Sequence, residues 1–254
     1  MVKTKNVKII SDYLAAILIL LAIWWIASTW LHKPYFPGPF AAFSAFGREL
    51  GKDLGPHLLV STARVLVSLV TALVPAVLLG MVLGHVERLD RFAAPLIYLT
   101  YPVPKIIFLP LVVTLMGLGN FSKIFLIWIV VFFQILVTTR DASRQVSKSM
   151  IDSVLSLGAI QSQIYYHVIF PACLPKIMTA LRISLGTAIA VLFFSETVAN
   201  TGSYGGIGYF VMEAWARLAW NDMFAGIIAM GIMGFVLYLF LDWLEKKICP
   251  WEFL

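Results

Sequence analysis

Apolar positions in this chain come in runs too long for the strands or amphipathic helices of a water-soluble domain. Stretches at about 13–31, 58–84, 92–117, 122–139, 177–199 and 223–242 are nearly continuous in Leu, Ile, Val, Ala, Phe and Trp. Crossing roughly 30 Å of hydrocarbon takes about 20 such residues in an α-helix. The six runs therefore predict six transmembrane helices and an all-α, polytopic membrane fold. The third run holds Pro95, Pro102, Pro104 and Pro110, each lacking a helical N–H donor, so it is expected to be kinked or partly unwound. Between the first two runs, GPFAAFSAFGREL sets Phe40, Phe43, Phe46 and Leu50 near one helical face behind a first-turn Pro39. That pattern predicts a short helix lying in the membrane interface.

The polar positions matter as much. The longest wet segment, 140–176, opens with Arg140, Asp141, Arg144, Lys148 and Asp152, then carries Val154, Leu155, Leu157, Ile160, Ile164 and Ile169 in a helical pattern. It is too long for a connector. Its apolar side chains need a surface to cover them, which implies a partner protein; an amphipathic helix dipping into the lipid interface is the alternative. Gly158 is expected to end or bend the helix, and Pro171 and Pro175 to stop it before the fifth run.

Composition supports the membrane reading. The 254 residues are 61% hydrophobic and 13% charged, with a mean hydropathy of +0.91, whereas soluble domains carry about 25% charged residues. The net charge of +6 sits in short clusters between apolar runs, not in a basic run with interleaved aromatics, so nucleic acid is not an expected partner. With the N-terminus in the cytoplasm, eleven Lys and Arg fall on inner segments, from Lys3, Lys5 and Lys8 to Lys246 and Lys247, and five on outer ones. Both termini are accordingly expected to be cytoplasmic, in the inner or plasma membrane. MVKTKNVKII and the run behind it resemble a secretory signal, but bulky Trp30 and Leu31 stand where small cleavage-site residues belong, so a retained first span is expected. Cys173 and Cys249 lie in no metal-ligand spacing and read as ordinary thiols. No repeat or linker divides the chain, which predicts one domain over 1–254.

Ionisable residues within apolar runs are costly and point to function by default. Arg182 lies six residues past Lys176, close enough to the inner surface for its stem to reach back to water. Helix rise places Arg64 and Lys105 at similar depth in the outer half, where two cations would attract an anion. Glu196, near the outer end of the fifth run, allows a second reading in which it neutralises Arg64 as a structural pair. Lys105 likewise has an alternative: capping carbonyls freed by Pro102 and Pro104. The glycine-rich NTGSYGGIGYF (200–210) follows no strand and precedes no Lys-Ser/Thr, so it reads as an outward-facing gate or docking loop, not a nucleotide loop. Tyr209, Trp215 and Trp220 read as interface anchors, and His85 and His167 as solvated loop histidines without catalytic companions.

The wet segment resembles the cytoplasmic EAA loop of ABC importer permeases: EAA, three residues, Gly, nine residues, then I-x-L-P. Asp152, Ser153 and Val154 stand at the EAA positions, Gly158 at the Gly with Ala159 behind it, and Val168, Phe170 and Pro171 at the Ile, Leu and Pro. Spacing is kept in full while the EAA letters are not. YPVPKIIFLPLVVTLMGLGNFSKI (101–124), ALRISLGTAIAVLFFSETVA (180–199) and GGIGYFVMEA (205–214) are similar to stretches of the nitrate/sulfonate/taurine-type permeases. The resemblance implies a MetI-like permease fold. It also implies two cytoplasmic ATPase subunits docked on 140–176, a second permease chain, identical or similar, and an extracytoplasmic substrate-binding protein. The expected cargo is a small, anionic solute such as nitrate, bicarbonate or a sulfonate, with a vitamin precursor or other heterocycle as the alternative. This chain has no GxxxxGK[ST] motif, so ATP and Mg are expected on the partner and no cofactor or enzymatic activity on this chain. A secondary transporter is the less favoured reading, since no repeat symmetry or coupled ion site is evident.

Overall fold

The computed structural model describes residues 2–198 and 205–253, with side chains for 15–198 and 205–252. The side chains of Lys3, Lys5 and Lys8, and residues 200–204 of the glycine-rich loop, lie outside the described residues. The described chain is helical throughout: α1 (Val2–Leu31), α2 (Pro39–Leu50), α3 (Leu54–His85), α4 (Glu87–Thr100), α5 (Leu109–Met116), α6 (Asn120–Arg144), α7 (Lys148–Ser156), α8 (Gln161–Ile164), α9 (Phe170–Thr197), α10 (Ile207–Ala216) and α11 (Trp220–Ile248). Among the described residues, four stretches are long and apolar enough to cross a membrane: Leu54–His85, Asn120–Arg144, Gln161–Thr197 and Trp220–Ile248. The expected third span is a broken one, α4 and Lys105–Met116 meeting at 79°. Counting that pair as one gives five, against the six expected. The first expected span falls within the 30-residue helix α1, whose apolar stretch Ala15–Leu31 lies among the residues with described side chains.

Packing follows the placement of small residues. Helices α3 and α6 form the closest pair, flanked by α9, with α11 against α9. Ser68, Ala72, Ala76, Gly80 and Gly84 recur every fourth residue of α3, and all but Gly84 are buried. In lipid, where no hydrophobic force drives helices together, such a stripe lets two backbones approach and gain dispersion contacts. A Cβ on Gly80 would stand 2.7 Å from the Thr139 Cβ and 2.9 Å from the Leu136 carbonyl oxygen. A Cβ on Gly84 would stand 2.6 Å from the Ser143 Cβ and overlap the Arg140 carbonyl. Gly84→Leu is therefore expected to destabilise the bundle by about 1–3 kcal/mol, the usual cost of overpacking. A thermal melt of the detergent-solubilised protein measures it, and an unchanged midpoint would refute the packing account.

One expectation is corrected by this arrangement. Pro171 and Pro175 do not stop the helix: Gln161–Thr197 runs as one 37-residue rod. Pro171 has no N–H for the carbonyl four residues back, and the chain widens to a π-turn at Tyr165–Ile169, where Phe170 N–H donates to Tyr165 O. An i→i+5 turn re-registers the ladder around the missing donor without breaking it. On α2, the face turned into the protein is Ala42 and Ala45, both buried, with Phe46 beside them, while Phe40 and Phe43 are exposed. The small face seats α2 against α11, and Arg48 Nη2 ties the two by a 2.7 Å bond to Asp222 Oδ1.

Candidate functional site

Three assemblies of polar groups stand out, one toward each end of the bundle and one between. At the end toward the glycine-rich loop, α3 presents His57, Ser61, Arg64 and Ser68, spaced four, three and four apart and hence on one face. Arg64 and Glu196 are 3% and 0% exposed. Arg64 Nη1 donates to Glu196 Oε1 at 2.6 Å and to Gly205 O at 2.6 Å, while its Nε donates to Asn120 Oδ1 at 3.0 Å. Ser61 Oγ donates to the Glu196 carboxylate at 2.8 Å and accepts from Ile207 N–H at 2.8 Å. Gly208 N–H reaches Glu196 Oε2 at 2.9 Å, and Gly206 N–H reaches His57 Nδ1 at 3.0 Å.

The carboxylate thus sits on the unsatisfied N–H groups that begin α10, where the helix dipole favours negative charge. Gly206, at φ +102°, leaves no room for a Cβ against that carboxylate. The whole network pins residues 205–208 to α3 and α9. Tyr209 joins it by stacking on His57, ring centroids 5.9 Å apart; Trp220 packs against Tyr35.

In the broken span, Pro102 and Pro104 strip donors from the chain and disfavour helix in the residues before them. The carbonyls of Thr100 and Tyr101 are instead met by Lys105 Nζ at 2.8 and 2.7 Å, the cap at a helix C-terminus that a cation favours. Tyr101, Pro104, Lys105, Phe133, Gln134 and Thr187 line a cavity of about 320 Å³ here. Arg64 and Glu196 are brought together; no hydrogen bond or ion pair joins Lys105 to either among the described residues.

At the other end, α6 closes on Arg140, buried and paired with Asp90 of α4, its guanidinium 5.6 Å over the Tyr98 ring. Helix α7 starts at Ser147, whose Oγ accepts from Met150 N–H, and stops in a Schellman turn. Ala159 N–H bonds Val154 O at 3.3 Å, Gly158 N–H bonds Leu155 O at 2.9 Å, and Gly158 takes φ +85°. This left-handed position is the one such a turn reserves for glycine. Asp152 and Ser153 are exposed and Val154 half-buried. Val168 is buried, and Val154, His167, Val168 and Pro171 line a groove of about 550 Å³ with Trp251. Of the apolar residues expected to seek a partner, Ile164 and Ile169 are buried within the chain, whereas Leu155, Leu157 and Ile160 are exposed, Leu157 by 87%. His85 packs edge-on to Tyr165 at 5.3 Å, and Arg182 is paired with Asp242 and Glu245.

Sequence reading passed over His57, Ser61, Asn120, Gln134 and Thr187. The first two were detectable as a polar face with Arg64 on an otherwise apolar helix. Gln134 and Thr187 are single polar residues in apolar runs, and only the fold pairs them.

Residues 76–250 match the family described as binding-protein-dependent transport system inner membrane component. The taurine transport system permease protein of Escherichia coli strain K12 is 32% identical over 92% of this chain and 87% of its own length. The formylaminopyrimidine transport permease protein of Halalkalibacterium halodurans is 26% identical over 92% of this chain and 93% of its own. The putative aliphatic sulfonates transport permease protein of Bacillus subtilis strain 168 is 30% identical over 80% and 72%.

Proposed function

The chain belongs to the binding-protein-dependent transport system inner membrane components, and from that premise we propose that it forms the translocation path for a small anionic solute. As an ABC permease subunit it is a multi-pass membrane protein and a transport component, not an enzyme; the family implies ATPase and substrate-binding-protein partners. ATP and Mg belong to the ATPase, which docks on 140–176 through Asp152, Ser153, Val154, Gly158, Ala159, Val168, Phe170 and Pro171. A second permease copy completes the path, since one bundle encloses little of it. Both termini face the cytoplasm, and lipid covers the exposed apolar faces of α3 and α11.

The observation that carries the coupling reading is the unbroken rod Gln161–Thr197. At about 1.5 Å per residue it is long enough to span the membrane, with the exposed docking turn before one end and Glu196 at the other. Movement of the docking turn as the ATPases close shifts α9 as a body, and with it the carboxylate that holds Arg64 and the 205–208 segment. Such one-piece transmission suits packed helices, which slide or rock more readily than they deform. Arg64 and Glu196 then act as an outer latch on the path, and Lys105 as its cation.

Anion import rests on Lys105 and on the taurine and sulfonate relatives. A charge within the membrane needs compensation, and a passing anion supplies it transiently. Nitrate, bicarbonate and sulfonates all satisfy that chemistry. The formylaminopyrimidine relative favours a second reading, import of a heterocycle, in which Lys105 serves only as the α4 cap. ATP-driven uptake into vesicles holding the assembled complex separates the two. Lys105→Met is expected to lower anion uptake about tenfold or more, with assembly retained, and Lys105→Arg to keep part of it. Unchanged uptake by the Met variant would refute the anion role of Lys105.

A further inference from the structure

The cavity at the break between α4 and α5 carries more polar capacity than the surrounding helices use. Lys105 Nζ gives two of its three N–H groups to Thr100 O and Tyr101 O. Its charge lies 5.2 Å from the Phe133 ring centroid and 5.3 Å from that of Tyr101. No carboxylate stands within ion-pair distance of it among the described residues. On another wall, Gln134 Nε2 of α6 donates to Thr187 Oγ1 of α9 at 3.0 Å. The hydroxyl accepts that bond and keeps its own hydrogen to give; the amide keeps a second N–H. Val103, Val130 and Val191 supply apolar wall.

Donors and one uncompensated positive charge suit an anionic head. The volume of about 320 Å³ corresponds to the space of about ten waters, far more than a bare inorganic anion needs, and most of the lining is apolar. We propose that the translocated solute pauses here and is a small organic oxyanion. Its charged head lies on Lys105 and the Gln134–Thr187 pair, and its carbon chain lies on the valines and Phe133. This rests on the import of an anion argued above and narrows it to a class.

The test places a single cysteine at the site, as Thr187→Cys, in a chain whose buried Cys173 and Cys249 are replaced by Ala, assembled with its ATPase subunits in vesicles. Its reaction rates with ethylsulfonate and trimethylammonium methanethiosulfonates are each divided by the rate for a free thiol in solution. The sulfonate reagent is expected to be favoured about tenfold, and the preference to fall to about unity when Lys105→Met is added. Taurine should slow the sulfonate reagent several-fold where equal nitrate does not. Equal rates for the two reagents, or a preference that survives Lys105→Met, would overturn the site, as would no reaction at either Thr187→Cys or Gln134→Cys. Protection by nitrate equal to that by taurine would overturn the organic class. Gln134→Cys replaces Thr187→Cys if the latter does not assemble. ATP hydrolysis stimulated by loaded binding protein in the same vesicles reports separately on the import reading: its absence beside an intact charge preference sinks that reading and leaves the cavity's chemistry standing.

Discussion

Gly158→Val is expected to lower ATP-driven uptake by about tenfold or more, while Gly158→Asn keeps most of it. Gly158 occupies φ +85° at the position of the Schellman turn where the chain reverses hand after α7. An L-residue in that region costs about 1–2 kcal/mol, and a β-branched one is the least tolerated. Asn is the side chain best suited to replace Gly there. A Cβ at this position would meet no atom of the chain within 4 Å, so the effect is conformational within the subunit. The turn directs Leu155, Leu157 and Ile160 outward, and losing it scatters the surface offered to the ATPase. Gly158→Arg adds a long charged side chain to that surface and is expected to lose assembly or coupled ATP hydrolysis, with the protein still inserted in the membrane. Uptake and ATPase copurification, measured side by side for Val, Asn and Arg, check this. Equal behaviour of Val and Asn would contradict the role of the left-handed turn.

Breaking the Arg64–Glu196 ion pair should cost more in stability than any other single change. Glu196→Ala removes the acceptor used by Arg64, Ser61 and Gly208 N–H and leaves a buried guanidinium without its counterion. Removing one partner of a buried pair costs about 3–5 kcal/mol, because the other charge stays in a low-dielectric interior. Replacing both partners by apolar groups removes that penalty, so Arg64→Met with Glu196→Leu is expected to recover a large part of the loss. Thermal unfolding of solubilised protein, followed by tryptophan fluorescence, gives the comparison. A double variant no more stable than Glu196→Ala would mean that the hydrogen bonds to Ser61 and the 205–208 segment outweigh the charge pairing.

Much of the architecture was legible from residue pattern because lipid imposes simple demands: long apolar runs, every backbone group paired, prolines where the ladder yields. The break at Pro102 and Pro104 followed from missing donors, and Gly158 was placed where a helix ends, as it does at the left-handed turn closing α7. Pro171 and Pro175 misled, because a sequence records that a donor is missing but not that neighbouring turns can widen to π spacing and carry the helix on. The side of α2 that packs on the protein was not legible: an apolar face in a membrane protein has two apolar surroundings to choose between, and here the small residues Ala42 and Ala45 took the protein side. The network around Arg64 and Glu196 was the hardest to foresee. Arg64 and Glu196 were candidates for pairing, but Asn120, the α3 residues Ser61 and His57, and the N–H groups of 206–208 come from three separate elements that only tertiary packing brings together with Glu196 of α9.

The central claim, that the Gly158 turn is the surface on which the ATPase acts, is tested most directly by a photocrosslinking amino acid in place of Leu157, the most exposed apolar residue of the turn at 87%. In vesicles containing the permease, ATPase subunits and loaded binding protein, irradiation should give a covalent permease–ATPase adduct whose yield changes when ATP is added. The same group in place of Phe92, an exposed residue of α4, should not give it. Adducts with lipid alone at position 157, while the ATPase still copurifies with the permease, would contradict the account.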